Sequence, residues 1–259
     1  MPDSRGRTLL QGLPALVGAH RRSFSGLLLL ARLGLMTAGG MQWLSDPYRF
    51  PLDVVEVKGE FRYLQKANLQ AAVTPHAAGG FFTVDVDSVR AAAEDLPWVQ
   101  RAKVRRIWPA TLRVHITEQQ PVAGWNGDGY LNGAGEEFYP RSGQTPTGLP
   151  RLAGPAGQAS RVLQRYRQAS RTLQGLGLQV THLAMDRRRA WSLQLDNGVQ
   201  LKLGRARPWN RLQRFVRAFP GVFAGRLADL KSVDMRYSNG FSVHWQPAPA
   251  GEVVAQQDT

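Results

Sequence analysis

Few of the residue types that carry out catalysis stand where they could act together. The five His, at positions 20, 76, 115, 182 and 244, are scattered. None stands at metal-ligand spacing from another His or from a carboxylate. The absence of Cys removes thiolate nucleophiles, thiolate metal sites and disulfides. There is no nucleophile elbow, no phosphate-binding glycine loop and no zinc-protease signature. Glu136-Glu137 would point to opposite faces of a strand, so it reads as a solvated pair rather than an acid–base couple. His115 reads as a solvent-facing sheet residue and Arg187-Arg188-Arg189 as a charged turn. Trp98 and Trp108, each beside a Pro, read as core packing rather than as a stacking platform. No catalytic residue, metal or cofactor is expected, which leaves recognition.

Recognition would use the backbone. Phe241–Trp245 is the last strand that the pattern supports, so nothing later in the sequence is obliged to pair with it. At a sheet edge its free N–H and C=O groups could accept a partner strand. Phe241, Val243 and Trp245 would share one face, Ser242 and His244 the other. Arg236 and Tyr237, expected on the adjoining strand, are a charged and an aromatic anchor of the types that dominate binding energies. The same aromatics could instead close the core beneath the hairpin, and the residues alone leave both readings open.

The elements that would position this strand follow from the division of the chain. Its 259 residues suit two domains, and a hydrophobic content of 43% excludes wholesale disorder. The 33 basic residues against 19 acidic ones give a net charge of +14, a balance suited to nucleic acid or an anionic membrane surface. Residues 24–44, FSGLLLLARLGLMTAGGMQWL, are largely apolar and carry one charge, Arg32. As a helix this stretch is about 31 Å long, the thickness of a bilayer's hydrocarbon core. Arg32 costs roughly 2.5–3.5 kcal/mol at mid-membrane, and each Leu of the stretch returns about 0.5. Arg5, Arg7, Arg21 and Arg22 precede it against Asp3 alone. The positive-inside rule therefore puts residues 1–23 in the cytoplasm and everything after Leu44 across the membrane. A retained span is preferred to a buried helix, which Gly26, Gly34, Gly39 and Gly40 would weaken. It is also preferred to a cleaved signal, whose apolar run is usually about 7–15 residues. The Arg residues beyond Leu44 then suit solvated faces near anionic headgroups better than a nucleic-acid site.

Past the span, Leu52–Val57 reads as a strand and Tyr63–Val73 as a helix with Leu64, Ala67, Leu69 and Ala71 inward. A second helix follows a cap at Asp85 or Asp87, with Val86, Val89, Ala93 and Leu96 at helical spacing and Pro97 as its stop. Residues 98–109 form a strand and turn. Thr111–Thr117 alternates, with Leu112, Val114 and Ile116 on one face. The order β-α-α-β-β describes a small α+β module with two helices on a three-stranded sheet. Beyond it, residues 125–139 read as a hairpin and Ser160 as the cap of a helix containing Leu163, Tyr166, Ser170 and Leu173. Gln179–Met185 reads as a strand, and Asp196-Asn197-Gly198 as the turn between strands Trp191–Leu195 and Val199–Leu203. Pro208 opens a helix that Pro220 should end. Lys231–Tyr237 and Phe241–Trp245 form a last hairpin about Ser238-Asn239-Gly240. Residues 246–259 have no apolar period and are expected to be disordered.

Several of these residues recur together in a known family. Leu96-Pro97-Trp98-Val99, Ala102, Val104, Arg106, Trp108-Pro109, Leu112, Val114, Glu118, Pro121, Ala123 and Trp125 resemble the bacterial cell-division FtsQ (DivIB) family. So do Gly135–Phe138, the segment Leu149-Pro150-Leu152-Gly154-Pro155 and the strand Val233–Tyr237. Asn132 departs from the pattern, where an acidic residue is expected. The resemblance implies an α+β protein with one N-terminal transmembrane helix (24–44), a cytoplasmic tail (1–23), a POTRA domain (polypeptide-transport-associated, 45–118) and a β-rich domain with helices on an antiparallel sheet (119–245). It implies a non-catalytic divisome scaffold of the inner membrane, with its C-terminus periplasmic and concentrated at the septum. Such a scaffold links early and late division proteins and helps control septal peptidoglycan synthesis. The implied partners are FtsB and, through it, FtsL, with contacts to FtsK and the septal peptidoglycan synthase. No nucleic acid or small-molecule substrate is implied. FtsB would dock on the terminal strands, at Tyr237, Trp245 and Arg236, with Asn239, Gly240, Phe241 and Val243 beside them. The alternative is a transport or chaperone POTRA protein that binds extended substrates by strand addition.

Overall fold

The computed structural model describes residues 17–44, 46, 48–140 and 145–246, with backbone alone for 17–28. The expected tail after Gln246 and most of the expected cytoplasmic segment lie outside the described residues. Helix α1 (Val17–Leu44) is a single 28-residue element. It starts seven residues before the apolar stretch, because a helical backbone need not stop where apolarity does. Every described side chain of α1, Leu29 to Leu44, is exposed. Among the described residues no helix is long and apolar enough to cross a membrane. The described side chains begin only at Leu29, so residues 24–28 of the expected span are not among them.

The first sheet is built from β1 (Val54–Lys58), β2 (Val99–Ile107) and β3 (Thr111–Glu118), in the order β1-β3-β2. Strand β1 runs parallel to β3, and β2 antiparallel to it. Helices α2 (Lys66–Val73) and α3 (Val86–Glu94) supply Leu69, Val73, Val89 and Ala93 to a core shared with Ala102, Leu112, Val114 and Ile116. The alternation in β3 is the expected one, because only one face of the sheet is covered. Asp85 caps α3, its carboxylate accepting from the amides of Asp87 and Ser88. Helix α2 starts later than the pattern suggested. Leu64 is buried ahead of it, whereas Ala67 and Ala71 are exposed, since a short helix turns only Leu69 and Val73 inward.

The second sheet has nine strands in the order β12-β11-β10-β9-β8-β7-β4-β5-β6. These are β4 (Pro121–Trp125), β5 (Gly129–Asn132), β6 (Glu137–Phe138), β7 (Arg151–Ala153), β8 (Val180–Met185), β9 (Trp191–Leu195), β10 (Gln200–Gly204), β11 (Leu230–Asp234) and β12 (Ser242–Trp245). The sheet is mixed rather than antiparallel, with β4–β7, β7–β8 and β10–β11 parallel. Parallel neighbours need a long crossover. Helix α4 (Ala159–Gln174) supplies it between β7 and β8, and α5 (Pro208–Ala218) between β10 and β11. Both helices press Val162, Leu163, Ala169, Leu173, Leu212 and Phe215 onto the sheet.

Four local expectations are corrected. Residues 125–139 make two hairpins: Trp125 ends β4, and β5 pairs with both β4 and β6. Ser160 lies inside α4, and its hydroxyl donates to the Gly135 carbonyl at 3.1 Å instead of capping the helix. Helix α5 ends at Ala218, but Pro220 does not stop the helical path, which widens into a π turn at Phe219–Phe223 and then narrows into 3₁₀ turns at Ala224–Asp229. Trp108 is 74% exposed, whereas Trp98 is buried.

The two cores meet at Trp98. Its ring stacks on Tyr63 at 4.6 Å and meets Phe138 edge-on at 5.4 Å. Thus Phe138, from the nine-stranded sheet, completes the smaller core. Glu118, the last residue of β3, ties down the segment between β1 and α2 within the smaller domain. Its carboxylate accepts from the backbone amides of Arg62 and Tyr63, both at 2.7 Å, and of Leu64. Asn132, the departure from the family pattern, is buried and fully engaged. Its amide donates to Gln119 and Glu136, and its carbonyl accepts from the amides of Ala134 and Glu136. Glu118→Ala leaves three amides without their acceptor, so we expect a loss of about 2–3 kcal/mol. Urea unfolding should show a lower midpoint at unchanged slope, and exposed Thr117→Ala should stay within about 0.5 kcal/mol of the parent.

Candidate partner-binding site

Strand β12 is outermost in the nine-stranded sheet and pairs with β11 alone among the described residues. Its partners on β11 are Val233 for Val243, Asp234 for Ser242 and Ser232 for His244, with an irregularity between Leu230 and Ser232. The last strand therefore lies at a sheet edge, the condition on which strand addition depends. Phe241, Val243 and Trp245 are half-buried against the core, while His244 is exposed. Phe241 meets Phe223 at 5.4 Å. The Arg226 guanidinium covers the Trp245 ring at 4.4 Å, a cation–π contact.

Arg236 and Tyr237 are not on the adjoining strand, because β11 ends at Asp234. They lie with Asn239 and Gly240 in the connection to β12. Asp234 holds Arg236 in place. The Arg236 guanidinium donates to its carboxylate at 2.6–2.9 Å, and the Arg236 backbone amide donates to it at 3.0 Å. These bonds keep the Asp234 carboxyl below the usual carboxylate range, against the partial burial that pushes it up. Tyr237 points away from the core and is 58% exposed.

Sequence reasoning missed what shapes this connection. Two guanidinium groups of α5 take hold of its carbonyls. Arg211 donates to the carbonyls of Leu203 and Arg236 at 2.8 and 2.6 Å. Arg214 reaches those of Tyr237 and Gly240 at 3.3 and 3.2 Å. The only signal in the sequence was their i, i+3 spacing on the polar side of an amphipathic helix. Gly204, at the end of β10, has φ +71°. A Cβ there would sit 2.9 Å from Cγ of Arg236 and 3.0 Å from Nη1 of Arg211. Glycine both permits the turn and leaves room for the two arginines.

The arrangement can pair backbone with backbone and offers side chains for grip, and among the described residues no acid–base pair converges on it. Among the described residues no group of three His, Cys, Asp or Glu is placed to hold a metal ion. Arg214→Ala frees two carbonyls of the connection, and amide exchange there should quicken while β10 stays protected. The Asp234–Arg236 pair contributes stability above the ordinary Asp range, and that contribution is lost as pH falls through Asp234's own, lower midpoint. Carboxyl-carbon NMR should find this midpoint below the usual Asp value, and Arg236→Ala should raise it.

Comparison with known proteins places this geometry. Residues 50–119 match the family model "POTRA domain, FtsQ-type", and residues 123–236 match "Cell division protein FtsQ/DivIB, C-terminal". The second match ends at Arg236, ahead of β12. Curated relatives extend over most of the chain. "Cell division protein FtsQ" of Allochromatium vinosum is 35% identical over 246 residues, covering 93% of this chain and 96% of the relative. The protein of that name from Shewanella oneidensis is 37% identical, with 87% of each chain covered. That of Escherichia coli is 35% identical, with 83% and 80% covered. With two adjoining family domains and relatives matched nearly end to end, the chain belongs to the FtsQ/DivIB family of cell-division proteins.

Proposed function

We propose that this protein is a non-catalytic divisome scaffold anchored in the inner membrane by α1, and that it holds FtsB, with FtsL through it, by strand addition to β12. The observation that carries the reading is the open edge of β12, whose half-buried apolar face a partner could finish covering. The free backbone groups of β12 supply affinity, and Tyr237, Trp245 and Arg236 supply side-chain grip, with Asn239, Gly240, Phe241 and Val243 shaping the surface between them. Arg236 meets an acidic partner residue while sharing its charge with Asp234. Helix α1 supports the anchor, since its Leu29, Leu30, Leu33, Leu35 and Met36 are exposed among the described residues. The smaller domain, on the periplasmic side, serves septal localisation and contacts with other division proteins such as FtsK and the septal peptidoglycan synthase. Strand addition to an unfolded transport substrate would use the same edge, but the family membership favours the division reading.

The test is binding of the full-length protein in nanodiscs to the periplasmic C-terminal segment of the cognate FtsB. Tyr237→Ala should weaken it by about 2 kcal/mol or more, roughly 30-fold in Kd. Trp245→Ala should do the same, with circular dichroism confirming the fold of each variant. No binding by the folded parent would remove the proposal.

A further inference from the structure

The smaller domain carries a cluster of exposed apolar side chains at one end. Trp108 is 74% exposed, Tyr48 94%, Val54 51% and Phe82 41%. Pairing brings them to the same end. Strand β1 runs parallel to β3 from Val54 beside Thr111, so the β2–β3 turn lies where the chain arrives from α1. The Ala110 carbonyl accepts from the amides of Asp53 and Val54 at 3.0 and 3.3 Å. The Phe81 amide donates to the Phe50 carbonyl at 2.8 Å, and Arg106 reaches the Val84 carbonyl at 2.6 Å. A run of edge-on aromatic contacts then leads from Trp43 of α1 to Phe50 at 5.4 Å and on to Phe82 at 5.2 Å. Arg49 lies over the Trp43 ring at 5.6 Å, and exposed Arg105 and Arg106 lie just ahead of Trp108. The opposite end of β3 leads instead into the second sheet, through Glu118.

We propose that this end is a membrane-docking surface: Trp108, Phe82 and Tyr48 insert at the headgroup level of the bilayer that α1 crosses, and so fix the tilt of the domain. The proposal rests on the reading of α1 as a membrane span. The amphipathic rings of Trp108 and Tyr48 settle at that depth, the apolar Phe82 ring adds buried area beside them, and flanking arginines meet anionic headgroups there. The lipid surface is the occupant because the chain itself delivers this end to it, through Leu44 and the Trp43–Phe50 contact. A docked end also accounts for a Trp left in the open on a domain that buries its other one.

The absence of Cys makes the test clean. Single-cysteine variants of the full chain, spin-labelled in vesicles of phosphatidylethanolamine and phosphatidylglycerol, report collisions with oxygen against a water-soluble nickel chelate. Leu35→Cys reads the span, Ala78→Cys and Ala110→Cys read the docking end, and Gln200→Cys reads the distant sheet. The expected result is a severalfold higher oxygen-to-nickel ratio at 78 and 110 than at 200. Adding Trp108→Ser with Phe82→Ser should abolish that excess while position 35 stays in lipid. Labels at 78 and 110 in water with 35 in lipid would overturn the docking alone. Position 35 in water would overturn the span and the docking together.

Discussion

A strand at the edge of a sheet keeps half of its backbone hydrogen-bonding groups unpaired, and the order of the nine-stranded sheet leaves β12 in that position. The cause lies upstream. Helix α5 buries Leu212 and Phe215 against the sheet and returns the chain parallel to β10, so β11 takes the outer place beside it. When the chain then doubles back, it can pair only outside β11. The final strand gains one neighbour and half a core, with Phe241, Val243 and Trp245 only partly covered. An open edge is usually a hazard that proteins blunt; in a scaffold it is the useful part.

The frame around this edge is stiff, which matters because ordering a loop upon binding costs affinity. Helix α5 serves twice: its apolar side fills the core, and its polar side extends Arg211 and Arg214 to the carbonyls of the β11–β12 connection. Asp234 aligns Arg236 before any partner arrives. Farther back, the Trp98–Phe138 contact couples the two sheets, while the three amides on Glu118 brace the smaller domain itself.

What could be read from the residues were the features with short-range causes. Leu112, Val114 and Ile116 announce a one-sided strand because the pleat has a period of two. Asp196-Asn197-Gly198 announces a tight turn, and Gly198 takes φ +86° there. The edge position of the last strand was not legible, because a final strand can equally insert between two earlier ones. The parallel pairings were hidden, because a crossover depends on which distant strands share a core. Strand β7, three residues long, is too short to show alternation. Trp108 looked like core because apolar residues usually are; its exposure depends on where the chain enters the domain. The arginines of α5 looked like an ordinary solvated face, and only the fold brings the connection to them.

The chain is strongly basic and holds no cysteine. Its arginines cap carbonyls, cover an aromatic ring and flank the end of the domain near α1. The central claim is that β12 gains a neighbouring strand. Hydrogen exchange on the full-length protein, with and without the FtsB segment, tests it most directly. The claim predicts new protection at the amides of Ser242–Trp245 when the segment is bound, with little change in β8 and β9. Binding that leaves those amides as fast as before, and protects another surface instead, would contradict it.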